Sequence, residues 1–218
     1  MVSATANVNY VAAGLLLPLP LAGDPALELC NTFAGWGEDA GREYLLSYEH
    51  LVVWARERGL VAAGVADDLV VAGRAQPQEA ARVLERARRL RRAFYAVVAG
   101  AAGDEDRAVV ACEAERAAAR ARLEWRPAAV WILPATPELP LLAVARAIGA
   151  FVTDPLRVGC CPGRGCGWVF ADPTGRRRWC SMAVCGNREK ARRHARRATD
   201  RRTADRSTGG GGGERRTT

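Results

Sequence analysis

Two Cys-x4-Cys pairs, Cys161/Cys166 and Cys180/Cys185, constrain this chain more than anything else in it. Four sulfurs from two short loops can close a tetrahedron around one Zn2+, at about 2.3 Å per sulfur, and tie together a segment too small to hold itself by burial. Between the pairs lies the turn chemistry Asp172-Pro173-Thr174-Gly175, and a basic run follows the second pair directly. No His, Asp or Glu stands beside the four cysteines, so the expected site is closed and structural, with one zinc per chain. Cys160 could replace Cys161 with a loop one residue longer, and His194 is a remoter alternative ligand. A pair of disulfides would use the same residues, but seven cysteines without a signal-peptide pattern argue for a reducing compartment and a cytoplasmic location. Cys30 and Cys112, outside the cluster, read as buried free thiols.

The charge separates the chain into two parts. Residues 1–155 hold 16 basic and 19 acidic side chains, whereas residues 156–218 hold 16 basic and 5 acidic, so the whole excess of +8 belongs to the last third. A nearly neutral body joined to a polyanion-seeking end is the expected layout. No membrane partner is expected: the apolar stretch Val11 to Leu21 is broken by Pro18 and Pro20 and falls far short of the ~20 residues that span a bilayer. It reads as an extended entry to residues 1–155.

Along that first part the signals are mostly helical. Asp24-Pro25 is an N-cap followed by Pro at the first helical position, Ser47 caps a helix carrying Leu51 and Trp54, and Gly59 stops it. A short helix should begin near Asp67-Asp68 and end before Gly73. Val83, Ala87, Leu90, Phe94 and Val97 recur at spacings of four and three, which predicts an amphipathic helix over Pro77 to Val98. Another helix starts at the acids Asp104 to Asp106. Leu123 to Arg126 and Val130 to Leu133 form a small hairpin, and Leu141 to Val152 a buried helix ending before Asp154-Pro155.

The expected fold is therefore an α-rich N-terminal domain with a small β-hairpin (1–155), followed by a small treble-cleft-like or ribbon-like ββα zinc finger with a basic helix (156–199). Residues 200–218, with Gly209 to Gly213, read as a disordered tail. Inside the finger, Gly167 to Phe170 is expected to pair with Arg176 to Trp179, while Trp168, Phe170 and Trp179 cover the site. Asn187 reads as the N-cap of a helix carrying Arg188, Lys190, Arg192, Arg193, Arg196 and Arg197. Cations in a first turn oppose the helix dipole, a conflict a phosphate would relieve. Arg188, Arg192 and Arg196, spaced by four, are expected to enter a major groove while Arg193 and Arg197 grip the backbone. Arg176, Arg177 and Arg178 form a second candidate contact.

Trp179-Cys-Ser-Met-Ala-Val-Cys-Gly-Asn-Arg188, with the upstream Cys161-x4-Cys166-Gly-Trp-Val-Phe-x-Asp172, closely resembles the CGNR zinc finger. Leu27-Glu-Leu-Cys-Asn-Thr32, followed by Leu45, Ser47, Leu51, Trp54 and Gly59-Leu60, resembles the ABATE domain that commonly precedes that finger. The resemblance implies a bacterial stress-induced transcription regulator with an α-rich first domain, a DNA-binding finger and a candidate ligand pocket at Asn31, Thr32 and Trp54. The leading reading is thus a non-enzymatic, zinc-stabilised DNA-binding protein whose first domain senses a small-molecule or protein effector or forms a homodimer. RNA or ribosome binding, and a protein-interaction adaptor, are the alternatives. An enzyme is not expected, for the sequence has no Ser/His/Asp set, no phosphate loop and only His50 and His194.

Overall fold

The computed structural model describes residues 8–38 and 41–208, with side chains described up to residue 200. Its first part is helix-rich. Strands β1 (Asn9–Ala12) and β2 (Leu15–Pro18) form a hairpin over the turn Ala13-Gly14, where a single extended entry segment was expected. The two prolines mark its far end rather than interrupting it. Helix α1 (Pro25–Cys30) is capped by Asp24, whose carboxylate accepts from the Ala26 N–H at 2.8 Å, with Pro25 at the first position. A second small hairpin, β3 (Phe33–Ala34) with β4 (Arg42–Glu43), encloses the loop carrying Trp36.

Helices α2 (Tyr48–Glu57), α3 (Ala63–Ala75), α4 (Pro77–Val98), α5 (Asp104–Arg120) and α6 (Leu139–Thr153) follow. The hairpin β5 (Arg122–Arg126) with β6 (Ala128–Ile132) joins the last two. The α4 stripe is buried at Val83, Ala87, Leu90 and Phe94, and it meets α6 through a Phe94–Phe151 edge contact at 5.6 Å. Helix α3 runs straight through Gly73 instead of ending there. A Cβ at Gly73 would stand 2.5 Å from the Tyr48 ring, so this glycine is a close-approach point between α3 and α2. Gly73→Ala should therefore cost about 1–3 kcal/mol by overpacking, read as a lowered denaturation midpoint with an unchanged denaturant slope.

The second part begins with β7 (Val158–Cys160), which pairs antiparallel with β8 (Val169–Ala171), Cys160 opposite Val169. This corrects the expected pairing. Arg176 to Trp179 is not a strand, because the carboxylate of Asp172 accepts from the backbone N–H of Arg176 and Arg177 and curls that segment into a turn. A π-turn (Met182–Gly186) then leads into helix α7 (Asn187–Thr208). The helix passes residue 199, so 200–208, read as tail, is helical; 209–218 lie outside the described residues. Among the described residues, no helix is long and apolar enough to cross a membrane.

Candidate metal centre and basic helix

Each sulfur is delivered by a different local device. Cys161 follows β7 and Cys166 lies in the turn before β8; Cys180 ends the Asp172 loop, and Cys185 sits in the π-turn at the base of α7. All four are buried and their Sγ atoms lie within 4.8 Å of one another, with Cys166–Cys180 and Cys180–Cys185 both at 3.6 Å. A tetrahedron with sulfurs about 2.3 Å from a zinc ion spaces them about 3.8 Å apart, so the donor set fits. The surroundings fit too. A Cβ at Gly163 would lie 3.0 Å from the Cys185 sulfur and 3.4 Å from that of Cys161, filling the cradle between them. Cys160 points elsewhere and is exposed, and His194 is exposed on α7; neither joins the cluster. Four thiols this close cannot all ionise unaided: sulfur hydrogen bonds push the Cys180 thiol up and pull Cys161 down, and a divalent cation removes the conflict.

The cysteine loops are joined to the helical part by hydrogen bonds along their length. Asn31 donates to the Val169 carbonyl at 2.9 Å and accepts from the Val169 N–H at 3.0 Å, so its amide pairs with the β8 backbone as another strand would. Gly35 N donates to the Cys166 carbonyl, Tyr95 to the Gly167 carbonyl and the Trp168 indole to the Phe33 carbonyl, each at 2.9 Å. Trp36 stacks on Tyr95 with ring centres 3.9 Å apart. Gly167, at φ +67°, has no room for a side chain, since a Cβ would come within 2.7 Å of Trp36. Tyr44 packs with Trp168 and Phe170 over the four sulfurs, while Val169 belongs to the helical core. Trp168 and Phe170 are thus core, as the smallness of the module requires, and are closed to base stacking.

Several expected contact residues are corrected. Asn31, Thr32 and Trp54 are all fully buried, with Asn31 bonded to Val169 and Thr32 to the Leu29 carbonyl and Arg91. Clefts of the helical part lie elsewhere, about 380 Å³ beside Arg86 and Cys112 and about 290 Å³ beside Trp131 and Arg146. Cys112 is accordingly exposed, unlike Cys30, whose thiol burial pushes far up. Arg177 is structural, lying 4.3 Å over the Phe170 ring and donating to the carbonyls of Leu21 and Cys180 at 2.6 and 2.5 Å. Arg176 and Arg178 stay exposed.

Asn187 is not an N-cap. Helical winding starts at Met182, so Asn187 already has helical backbone angles, its N–H is taken by the carbonyls of Met182 and Val184, and its side chain donates to Ala183. The Asn187 N–H is therefore not available to a phosphate. Arg188 donates to the Cys185 sulfur at 3.1 Å, and Arg192 is paired with Glu189. On the opposite side of α7, Lys190, Arg193, His194 and Arg197 line a shallow concavity of about 380 Å³ with no acid among them.

Sequence reasoning missed Arg91 and Glu43. Arg91 lies four residues after Ala87 and three before Phe94, on the buried stripe itself, and that interruption was a readable signal. It is buried beside Thr32 and paired with Glu43. Burial would raise the Glu43 carboxyl, but the Arg91 hydrogen bonds outweigh it and hold it below its ordinary range. The pair braces the β3–β4 hairpin against α4, and with it the loop that carries Trp36 to the cysteines.

The family comparisons divide the chain at the same place as its charge. The ABATE model, described as "Putative stress-induced transcription regulator", matches residues 23–155, and the CGNR zinc finger model matches residues 157–198. No curated protein matches the chain. With more than half of its length matched by the first model, this chain belongs to the ABATE family, here continued by a CGNR zinc finger.

Proposed function

We propose that the chain is a non-catalytic bacterial transcription regulator that holds one structural Zn2+ on Cys161, Cys166, Cys180 and Cys185 and grips duplex DNA with α7. The succession of knuckle hairpin, loop and helix supports a treble-clef-like ββα finger. One observation carries the DNA reading: Lys190, Arg193, His194 and Arg197 fall at i, i+3, i+4 and i+7, one side of a helix whose base is held by the metal ligand Cys185. A helix of 22 residues is about 33 Å long, enough to lie along a groove and track phosphates. The groove-facing side is then the Lys190 side, since Arg188 and Arg192 are engaged within the protein and Arg196 lies away from it. Arg176 and Arg178 are secondary phosphate contacts.

The helical part takes the sensor or dimerisation role. Any change in it has a route to the finger through Asn31 and Tyr95, which hold the cysteine loops directly.

Salt titration of duplex binding tests the proposal. Changing Lys190, Arg193 and Arg197 to Ala together should flatten the slope of log K against log salt by about 2.7, at about 0.9 per phosphate contact. Arg196→Ala, which removes one charge from the other side, should change it by much less than the about 0.9 expected of Arg193→Ala alone. Equal effects of Arg193→Ala and Arg196→Ala would mean a diffuse cationic tail with no docking face. Tighter binding to structured RNA than to any duplex under matched salt would replace DNA as the partner, and binding only to acidic protein would make the chain an adaptor.

A further inference from the structure

The four residues that give the finger its name occupy consecutive positions, and each meets a different physical demand. Cys185 supplies a sulfur. Gly186 leaves space that a Cβ would take from Met182, whose sulfur would stand only 2.7 Å away, with Trp179 at 3.4 Å. Asn187 returns its amide to the Ala183 carbonyl at 3.3 Å, closing the π-turn. Arg188, one helical turn after Cys185, brings Nη2 to 3.1 Å from that sulfur. Among the described residues no carboxylate pairs with Arg188, so its charge is directed at the thiolate rather than cancelled by an acid.

We propose that Arg188 is a positioning residue of the metal centre, donating an N–H to the Cys185 thiolate and thereby keeping that sulfur on the metal. The proposal rests on the zinc reading above. Four thiolates around Zn2+ carry a net charge of −2, and this centre is largely shielded from water by Tyr44, Trp168 and Phe170. A guanidinium beside one sulfur lowers the cost of that charge and selects which ligand it protects. Cys185 is the ligand that matters most for the basic face, because it alone stands in the turn from which α7 grows. Its loss would free the helix while the knuckle at Cys161 and Cys166 stayed anchored through Gly35 and Tyr95.

The test uses the zinc-loaded full chain. Metal content is measured first, and wild-type protein without zinc would defeat the zinc reading itself and the present proposal with it. Given one zinc per chain, Arg188→Ala should keep that stoichiometry but transfer zinc to an excess of a chromophoric chelator about tenfold faster or more, the usual scale for losing a hydrogen bond to a metal ligand. Arg188→Lys, which keeps the charge without the planar fork, should fall between the two. In Co2+-substituted protein, Arg188→Ala should move the sulfur-to-cobalt charge-transfer band to lower energy, because an unbonded thiolate holds its electrons less tightly. Arg193→Ala removes the same charge from the other side of α7 and should leave both readouts unchanged. Wild-type release rates and spectra in Arg188→Ala, or equal acceleration in Arg193→Ala, would overturn the proposal. If Arg188→Ala fails to fold, the same two readouts on Arg188→Lys decide, with wild-type values counting against it.

Discussion

Removing zinc from the full chain, by chelation or by Cys180→Ser, should lower the thermal midpoint of the helical part as well as that of the finger. From sequence alone the expectation is the opposite, a finger that unfolds while the first domain stays helical. The structure changes it because the two share a core: Val169 packs among the helices, Tyr44 packs among the cysteines, and Asn31, Gly35, Tyr95 and Phe33 exchange hydrogen bonds with the intervening loop. Structural zinc contributes on the order of 10 kcal/mol in small modules. If half of that is felt by the helices, the midpoint falls by about 10–20 °C, at roughly 2–4 °C per kcal/mol for a protein of this size. Circular dichroism at the helical band, beside metal analysis, measures it. An unchanged helical transition in zinc-free protein would show two independent parts. Cys160→Ser should retain the metal and the midpoint, since that thiol is exposed and outside the cluster.

Asn31→Ala should be the most damaging substitution away from the cysteines. It deletes both hydrogen bonds to Val169 and leaves a buried N–H and carbonyl of β8 without partners. Each orphaned group costs about 1–3 kcal/mol, so the total is about 2–6 kcal/mol, enough to drop the midpoint by about 4–24 °C. Asn31→Asp is no rescue: it keeps an acceptor for the Val169 N–H but sets a buried carboxylate against the Val169 carbonyl. A ligand-pocket role for Asn31 would instead leave the midpoint nearly unchanged without ligand. Thermal melts of the two variants in zinc-loaded protein separate these outcomes, with Arg178→Ala as an exposed reference that should stay within about 0.5 kcal/mol of wild type.

What the sequence by itself determined was local or patterned. The caps at Asp24 and Ser47, the limits of α4, the β5–β6 hairpin and the four clustered cysteines follow from side chains acting on their own backbone, from a period of 3.6, or from a donor set that suits a metal. Tertiary structure decided the partners of groups far apart in the chain. The strand opposite β8 proved to be β7 because Asp172 diverted the downstream candidate into a turn. Asn31 turned from candidate ligand residue into a clamp on a strand 138 residues away, and Arg177 from candidate phosphate contact into a donor to Leu21. The basic helix is the sharpest case. Its composition was plain, yet which side stays free depends on where Cys185 and Glu189 draw their arginines, and a charge count carries no direction. Spacing along the chain records which groups can meet; long-range pairing, where burial demands that each polar group be satisfied, settles which of them do.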